Sequence, residues 1–598
     1  MNSLQSTIYS DGTAVSSNVL SMDIITAINK IPYAQVVISQ GGAKNKTPVE
    51  LSDMTCFKPG QEIELVLSDT TGTMSFKGIV IKQNLKKKAN NTYLTVDIKD
   101  KAHKLSLLRQ SSVFANKDDQ TIITDVAKRA DVTVDCSATT LTHKQMVQYY
   151  CTNWDFIISR AEANGLLVCV ENGTLVLKKP DLGDSTTTLS NIHDFEIEAD
   201  LSSQYDTVSG FCWDMKEAKT IVAEDTKGTI TVKGKQDFSQ LAKAMSTSKC
   251  VLVSGIPAEK EEMTAWANAG LIKNRYSFIR GRISIDGNAS LKLGDMVTIS
   301  EAGTLFGATA IVSGIRHRID KEGWTTDIQC GLSSKWFYKN EDLIEKPAAG
   351  LLPGINGLQI GVVQAYPSDG DPDKIYRVKV WIPAFDELDA NQSIIWARLN
   401  QPYAGDQRGM FWIPETGDEV VVGFFNDDPR YAVVLGSLYN GQTTPPMKFT
   451  ENNYEKGMVS KSGISMLFND EDNKEKLSFT TPGGNQVLLE DENGITVTDK
   501  NANKITLHDK GMTVADKNNN TITMDDKGAV IEDTNANKLT LSKQGIEIKD
   551  ANGNTITLSS AGVEIKDMSG NKEALEASGI TVQSSANVTV KGAMINLN

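Results

Sequence analysis

The sequence predicts a multidomain, mainly β fold with minor α, and three observations predict it. A length of 598 residues exceeds what one core holds, at about 150 residues per domain. Six short alternating segments separated by turn residues crowd into residues 354–440. Glycines recur every 17 residues from Gly494 to Gly579. The division that follows is a base over 1–350, a barrel over 354–440, a linker over 441–460 and a repetitive segment over 461–598.

Composition narrows the class. Hydrophobic residues make up 40% and aromatics 7%, enough for folded domains, and no apolar run has the length of a membrane helix, so a soluble protein is expected. Met1 to Ser10 has neither a basic leader nor an apolar run, so no ordinary secretory signal is expected and any export needs another route. The cysteines (Cys56, Cys136, Cys151, Cys169, Cys212, Cys250, Cys330) are odd in number and form no C-x-x-C pair. They read as buried thiols of a chain folded in a reducing cytoplasm. The five histidines are scattered without ligand spacing, so neither a metal nor a cofactor is expected. Residues 451–598 carry 15 Lys against 22 Asp and Glu, and the barrel segment is acidic as well. No basic stripe exists to hold nucleic acid.

In the base, Asp118 or Asp119 can cap a helix whose Ile122, Ile123, Val126, Ala127 and Ala130 share one side. A second helix is expected from Trp154 to Asn164, stopped by Gly165 and followed by a hairpin turning at Glu171-Asn-Gly. A third is expected from Pro257 to about Arg275. Two strings, Pro59 to Val80 and Leu293 to Val312, read as weak copies of one β module.

The six barrel segments are Gln359–Ala365, Arg377–Ile382, Ile394–Leu399, Gly409–Ile413, Glu419–Phe425 and Ala432–Leu438, which suit an OB-type barrel. Trp381, Trp396, Phe411 and Trp412 read as aromatics packed in the barrel or against neighbours.

Each 17-residue repeat holds two alternating strands and a polar turn, with Asp499, Asp516, Asp533, Asp550 and Asp567 followed four positions later by Asn503, Asn520, Asn537, Asn554 and Asn571. The predicted core stripe is Ile495, Val497, Ile505, Leu507, Met512, Val514, Ile522, Met524, Ile531, Leu539, Leu541, Ile546, Ile548, Ile556 and Leu558, and the pattern breaks at Glu573. One chain's thin stripe is a poor core, and its intervals of 2, 8, 2 and 5 do not fit a hexapeptide solenoid. Several chains around one axis would supply both the missing core and the missing edge partners. The D-x-N-x-N turns lack the Gly and Glu of a calcium loop, having Lys504 and Lys510 there, and read as solvated turns. His508 follows inward Leu507 and should face outward.

Several strings carry a resemblance: Gly361-Val-Val, Arg377-Val-Lys-Val, Trp396-Ala-Arg, Ile413-Pro-Glu-Thr-Gly-Asp-Glu-Val-Val-Val-Gly-Phe, Asp428-Pro and Val434-Leu-Gly-Ser-Leu-Tyr-Asn. With Ile31-Pro-Tyr-Ala, Asn153-Trp-Asp-Phe and the later His317, Gly323 and Thr326, the chain resembles VgrG, the type VI secretion spike related to contractile-phage hub and spike proteins. The resemblance implies a phage-hub-like α+β base with two β-barrel modules, an OB collar and a C-terminal trimeric, intertwined β-helix. It also implies a homotrimer that caps an Hcp-like hexameric tube, contacts baseplate components, carries secreted effectors and punctures a target membrane. A PAAR-type tip protein would sit on Met594, Ile595, Asn596, Leu597 and Asn598, on a blunt end made by strands over Val588 to Leu597. The protein would assemble in the cytoplasm and then be delivered by the machine. No P-loop, G-x-S-x-G or H-E-x-x-H is present, and residues 441–460 leave no room for a lysozyme domain, so an enzyme is not expected. A β-helical adhesin or glycan-binding fibre is the alternative.

Overall fold

The computed structural model describes residues 4–40, 55–88, 91–180, 186–214, 217–223, 238–254, 258–306, 309–339, 343, 346–385 and 393–597. They form two compact units, Met1–Gly350 and Leu351–Asn598.

The first unit is built on a 13-stranded sheet. Its first half curls around a core of Met22, Ile24, Val36, Ile63, Leu65 and Val96, drawn from strands that alternate buried and half-exposed residues. Its second half buries Ile283, Ile285, Val297, Val312, Ile315 and Ile328 in a core of its own. The two strings read as copies each enter an antiparallel pair, Leu65 opposite Phe76 in the first and Met296 opposite Ile311 in the second. Pairing of Ala310–Asp320 with Val19–Ala27 joins the halves, so the two modules share one continuous sheet.

The three longest helices described in this unit pack mainly on its smaller two- and three-stranded sheets. Helix α1 (Asp119–Lys128) starts where Asp118 accepts a hydrogen bond from the Thr121 amide at 2.8 Å, and it buries Ile122, Ile123, Val126 and Ala127. Helix α2 (Asn153–Ala163) is capped by Thr152, and Gly165 follows it at φ +69°. Helix α3 (Lys260–Tyr276) starts later than the sequence suggests, because Glu259 is extended at ψ 151° and serves as the cap. Pro257 lies outside the described residues.

A buried polar cluster ties these helices together. Asp119 Oδ1 accepts from Arg160 Nε at 2.7 Å, and its Oδ2 accepts from Asn164 Nδ2 at 2.8 Å and lies 2.9 Å from His143 Nε2. Arg160 reaches on to Glu262 of α3 at 3.2 Å. Burial pushes the Asp119 carboxyl up, but the Arg160 guanidinium and the other donors outweigh it and hold the group below its ordinary value. The cysteines are free thiols; Cys169, Cys212 and Cys330 are buried, and burial lifts the Cys330 thiol to about 12.

In the second unit five strands close a barrel: Gln359–Val363, Arg377–Trp381, Ile394–Leu399, Ala432–Leu438 and Glu419–Phe424. Val378, Val380, Ala397, Val420, Val422 and Val434 fill it. The sixth predicted segment, Gly409–Ile413, is not a barrel strand. A two-residue hairpin, Ala404–Gly405 with Arg408–Gly409, turns the chain outward and leaves Phe411 81% and Trp412 51% exposed. The repeats form a 15-stranded antiparallel sheet from Glu455–Val459 to Gly579–Gln583. It therefore begins inside the stretch that the sequence assigns to a linker.

Candidate assembly surface

Every strand between the first and the last of this sheet pairs with the strands just before and after it in the chain, so the meander supplies its own edge partners. The edge partners that the sequence reading drew from other chains come from within this one. The core is another matter. Five-residue strands place their second and fourth residues on one face, and the register stacks those positions into two columns. One runs Ile495, Leu507, Met512, Met524, Ala529, Leu541, Ile546, Leu558. The other runs Val497, Ile505, Val514, Ile522, Ile531, Leu539, Ile548, Ile556.

All fifteen predicted stripe residues thus share one face. Eleven of them are 37% to 47% exposed, and Met512, Val514, Leu539 and Ile556 are half-buried. The middle column of the opposite face runs Thr496, Thr506, Thr513, Thr523, Val530, Thr540, Glu547 and Thr557, and His508 lies on that face too. The second column is interrupted where Glu573 pairs between Ile565 and Val582.

The turns are more than solvated links. Asp516 Oδ1 accepts from the amides of Asn518 and Asn520, and its Oδ2 accepts from Asn520 Nδ2 at 2.7 Å. Asn520 Oδ1 then accepts from the Thr534 amide in the next turn at 2.9 Å. The same relay runs from Asn503 to Lys517, from Asn537 to Ala551 and from Asn554 to Met568, so a side-chain spine follows one edge of the sheet. These bonds, led by that from the Asn side chain, hold each repeat aspartate below its ordinary pKa. N–H donors fill the carboxylate positions that a cation would need. At the opposite edge Gly528 sits at φ +138°, and a Cβ there would lie 1.9 Å from the Leu541 carbonyl oxygen, which is why the repeat needs glycine.

Comparison with known proteins places this geometry. Residues 1–321 match the family of the Alg8 N-terminal domain, more than half of the chain. Residues 359–439 match the type VI secretion system/phage-baseplate injector OB domain, and residues 514–576 match the phage baseplate V C-terminal trimerisation domain. The type VI secretion system spike protein VgrG1a of Pseudomonas aeruginosa is 29% identical over 205 residues, 31% of this chain and 31% of that protein. The chain belongs to the VgrG family, with an Alg8-type N-terminal domain.

VgrG1b of the same organism is 35% identical over 115 residues, 19% of this chain and 15% of that protein. The aligned part spans less than a third of each of these VgrG relatives. A prophage MuSo2 43 kDa tail protein from Shewanella oneidensis is similar over 56% of this chain and 99% of its own, with 11% identity and a TM-score of 0.42.

The VgrG-type sheet ends earlier than the sequence suggests. Val588 to Leu597 form no strand; the last strand is Gly579–Gln583, and its outer edge is unpaired. The turn chemistry explains this, since one repeat after Asp567 and Asn571 the chain has Ser584 and Val588. Asn571 still accepts from the Ser585 amide, and the ladder stops there. Met594 and Leu597 are 80% and 92% exposed; Asn598 lies outside the described residues. The sequence missed the Asp–Asn spine, although its four-residue spacing was visible.

Proposed function

We propose that three copies of this chain assemble into the spike of a contractile injection machine, with their repeat sheets facing inward around a shared axis. One observation carries the reading: a single-layer sheet of 15 strands leaves an apolar face exposed along most of its length. The fully paired backbone holds each sheet together along the strands, and only a second apolar surface can cover the face. The trimerisation family over 514–576 supports three copies. At about 4.8 Å between strands, fifteen strands span roughly 67 Å, a stiff rod suited to transmitting thrust along the chain-neighbour ladder.

In this reading the base over 1–350 docks on a hexameric, Hcp-like tube, the barrel over 354–440 forms a collar, and the repeats pierce the target membrane. The protein acts by assembly and force, without catalysis, and moves from the cytoplasm into the target with its effectors. The free edge of Gly579–Gln583, with Met594, Ile595, Asn596, Leu597 and Asn598 beyond it, is the seat for a PAAR-type tip protein. Deleting residues 594–598 is expected to abolish capture of a PAAR-type protein and leave the trimer intact. Loss of the trimer in that variant would contradict this assignment, and glycan binding without any tip capture would favour the fibre reading.

A further inference from the structure

The first strands of the apolar face are overhung by the loop that carries Trp412. Met458, Met466, Phe479, Val487 and Val497 are the opening members of the second apolar column, and the Trp412 side chain lines the same groove, of about 440 Å³. Two bonds hold that loop in place: Gln401 Nε2 donates to the Trp412 carbonyl at 2.7 Å, and Lys461 Nζ donates to Glu415 Oε2 at 2.7 Å. Trp412 stands on the side of the Asp–Asn turns, as Asn485 and Asp499 line the groove with it.

We propose that this groove receives a second copy of the chain, and that Trp412 clasps the neighbour's sheet at Phe468, Leu477 and Leu489. The inference rests on the trimeric reading and goes beyond it by naming the contact. The groove is continuous with the column that runs on to Ile565, so whatever covers the column covers the groove. A threefold arrangement makes heterologous contacts, in which one edge of each sheet meets the other edge of the next at the same height. The edge bearing Trp412 therefore meets the neighbour's first column, whose members at that height are Phe468, Leu477 and Leu489. A half-exposed indole over an apolar groove is the kind of residue that dominates such interfaces.

The test places photoreactive benzoylphenylalanine at position 412 of the full chain, with light scattering of the same sample. The expected result is a trimeric mass and, after irradiation, covalent products of two or three chains on a denaturing gel, with the link mapped to residues 466–490. In parallel, Trp412→Ala should raise the trimer's dissociation constant at least tenfold, with Trp412→Phe restoring most of it. A trimeric mass with links confined to one chain, or with none, overturns the clasp and leaves the spike reading standing. A single-chain mass overturns both.

Discussion

Ile522 and Thr523 are neighbours in sequence and point to opposite faces of the same strand, which makes them a paired probe of which face is the core. Ile522 lies between Val514 and Ile531 and is 38% exposed in the single chain, while Thr523 lies between Thr513 and Val530. Covering the remaining Ile522 surface contributes about 0.6–1.2 kcal/mol per chain, taking 1.5–3 kcal/mol for full burial. Ile522→Asp forfeits that and forces a carboxylate into an apolar interior, which costs several kcal/mol more per chain. Three symmetry-related copies bring the penalty to the order of 10 kcal/mol per trimer, about seven orders of magnitude in the dissociation constant. Thr523→Asp carries the same loss of strand propensity on the wet face and should cost less than about 1 kcal/mol per chain. Sedimentation velocity at micromolar protein should show dissociated chains for Ile522→Asp and an intact assembly for Thr523→Asp. Equal behaviour of the two, or dissociation by Thr523→Asp alone, would refute the assignment of the inner face.

Three further outcomes follow from the same structure. The repeat aspartates have folded pKa values below their unfolded ones, so their contribution is present above the unfolded value of about 3.9 and is lost as pH falls through the folded values. Asn520→Ala should therefore lower the melting point of the repeats at pH 7 and flatten its acid dependence. Buried His317, pushed down to about 4 by desolvation, stays neutral in the fold; its contribution is full above about 6.5 and is lost as pH falls from there to about 4. His317→Gln should remove that slope from calorimetric scans of the base. Asp119→Ala takes the buried carboxylate from Arg160, leaving it the 3.2 Å contact with Glu262, and should destabilise the base by about 3–5 kcal/mol in urea titrations.

Much of the repeat was legible because its signals are local. Alternation picked fifteen residues from Ile495 to Leu558 that the register sets on one face, though it passed over Ala529 between Met524 and Leu541, and the glycine spacing marked the turns where Gly528 and its equivalents approach a neighbouring carbonyl. The pairing partners were not legible, since an antiparallel meander and a multichain winding share the same inward pattern. The early end of the ladder was visible in principle, because Ser584 and Val588 replace the turn residues, but alternation at Val588 and Val590 obscured it. Gly409–Ile413 failed for a related reason: Met410, Phe411, Trp412 and Ile413 read as a strand, yet the hairpin at Asp406 and Gln407 turns them away from the barrel. The Asp119 cluster was out of reach, because its members are brought together from residues 119 to 262 only by the packing of three helices.

The central claim is that the bare apolar face is covered by further copies of the same chain. Light scattering of the purified full-length protein tests it most directly. The account predicts about three times the chain mass of 65.1 kDa, unchanged on dilution to the nanomolar range. A stable, soluble species of 65.1 kDa would contradict it.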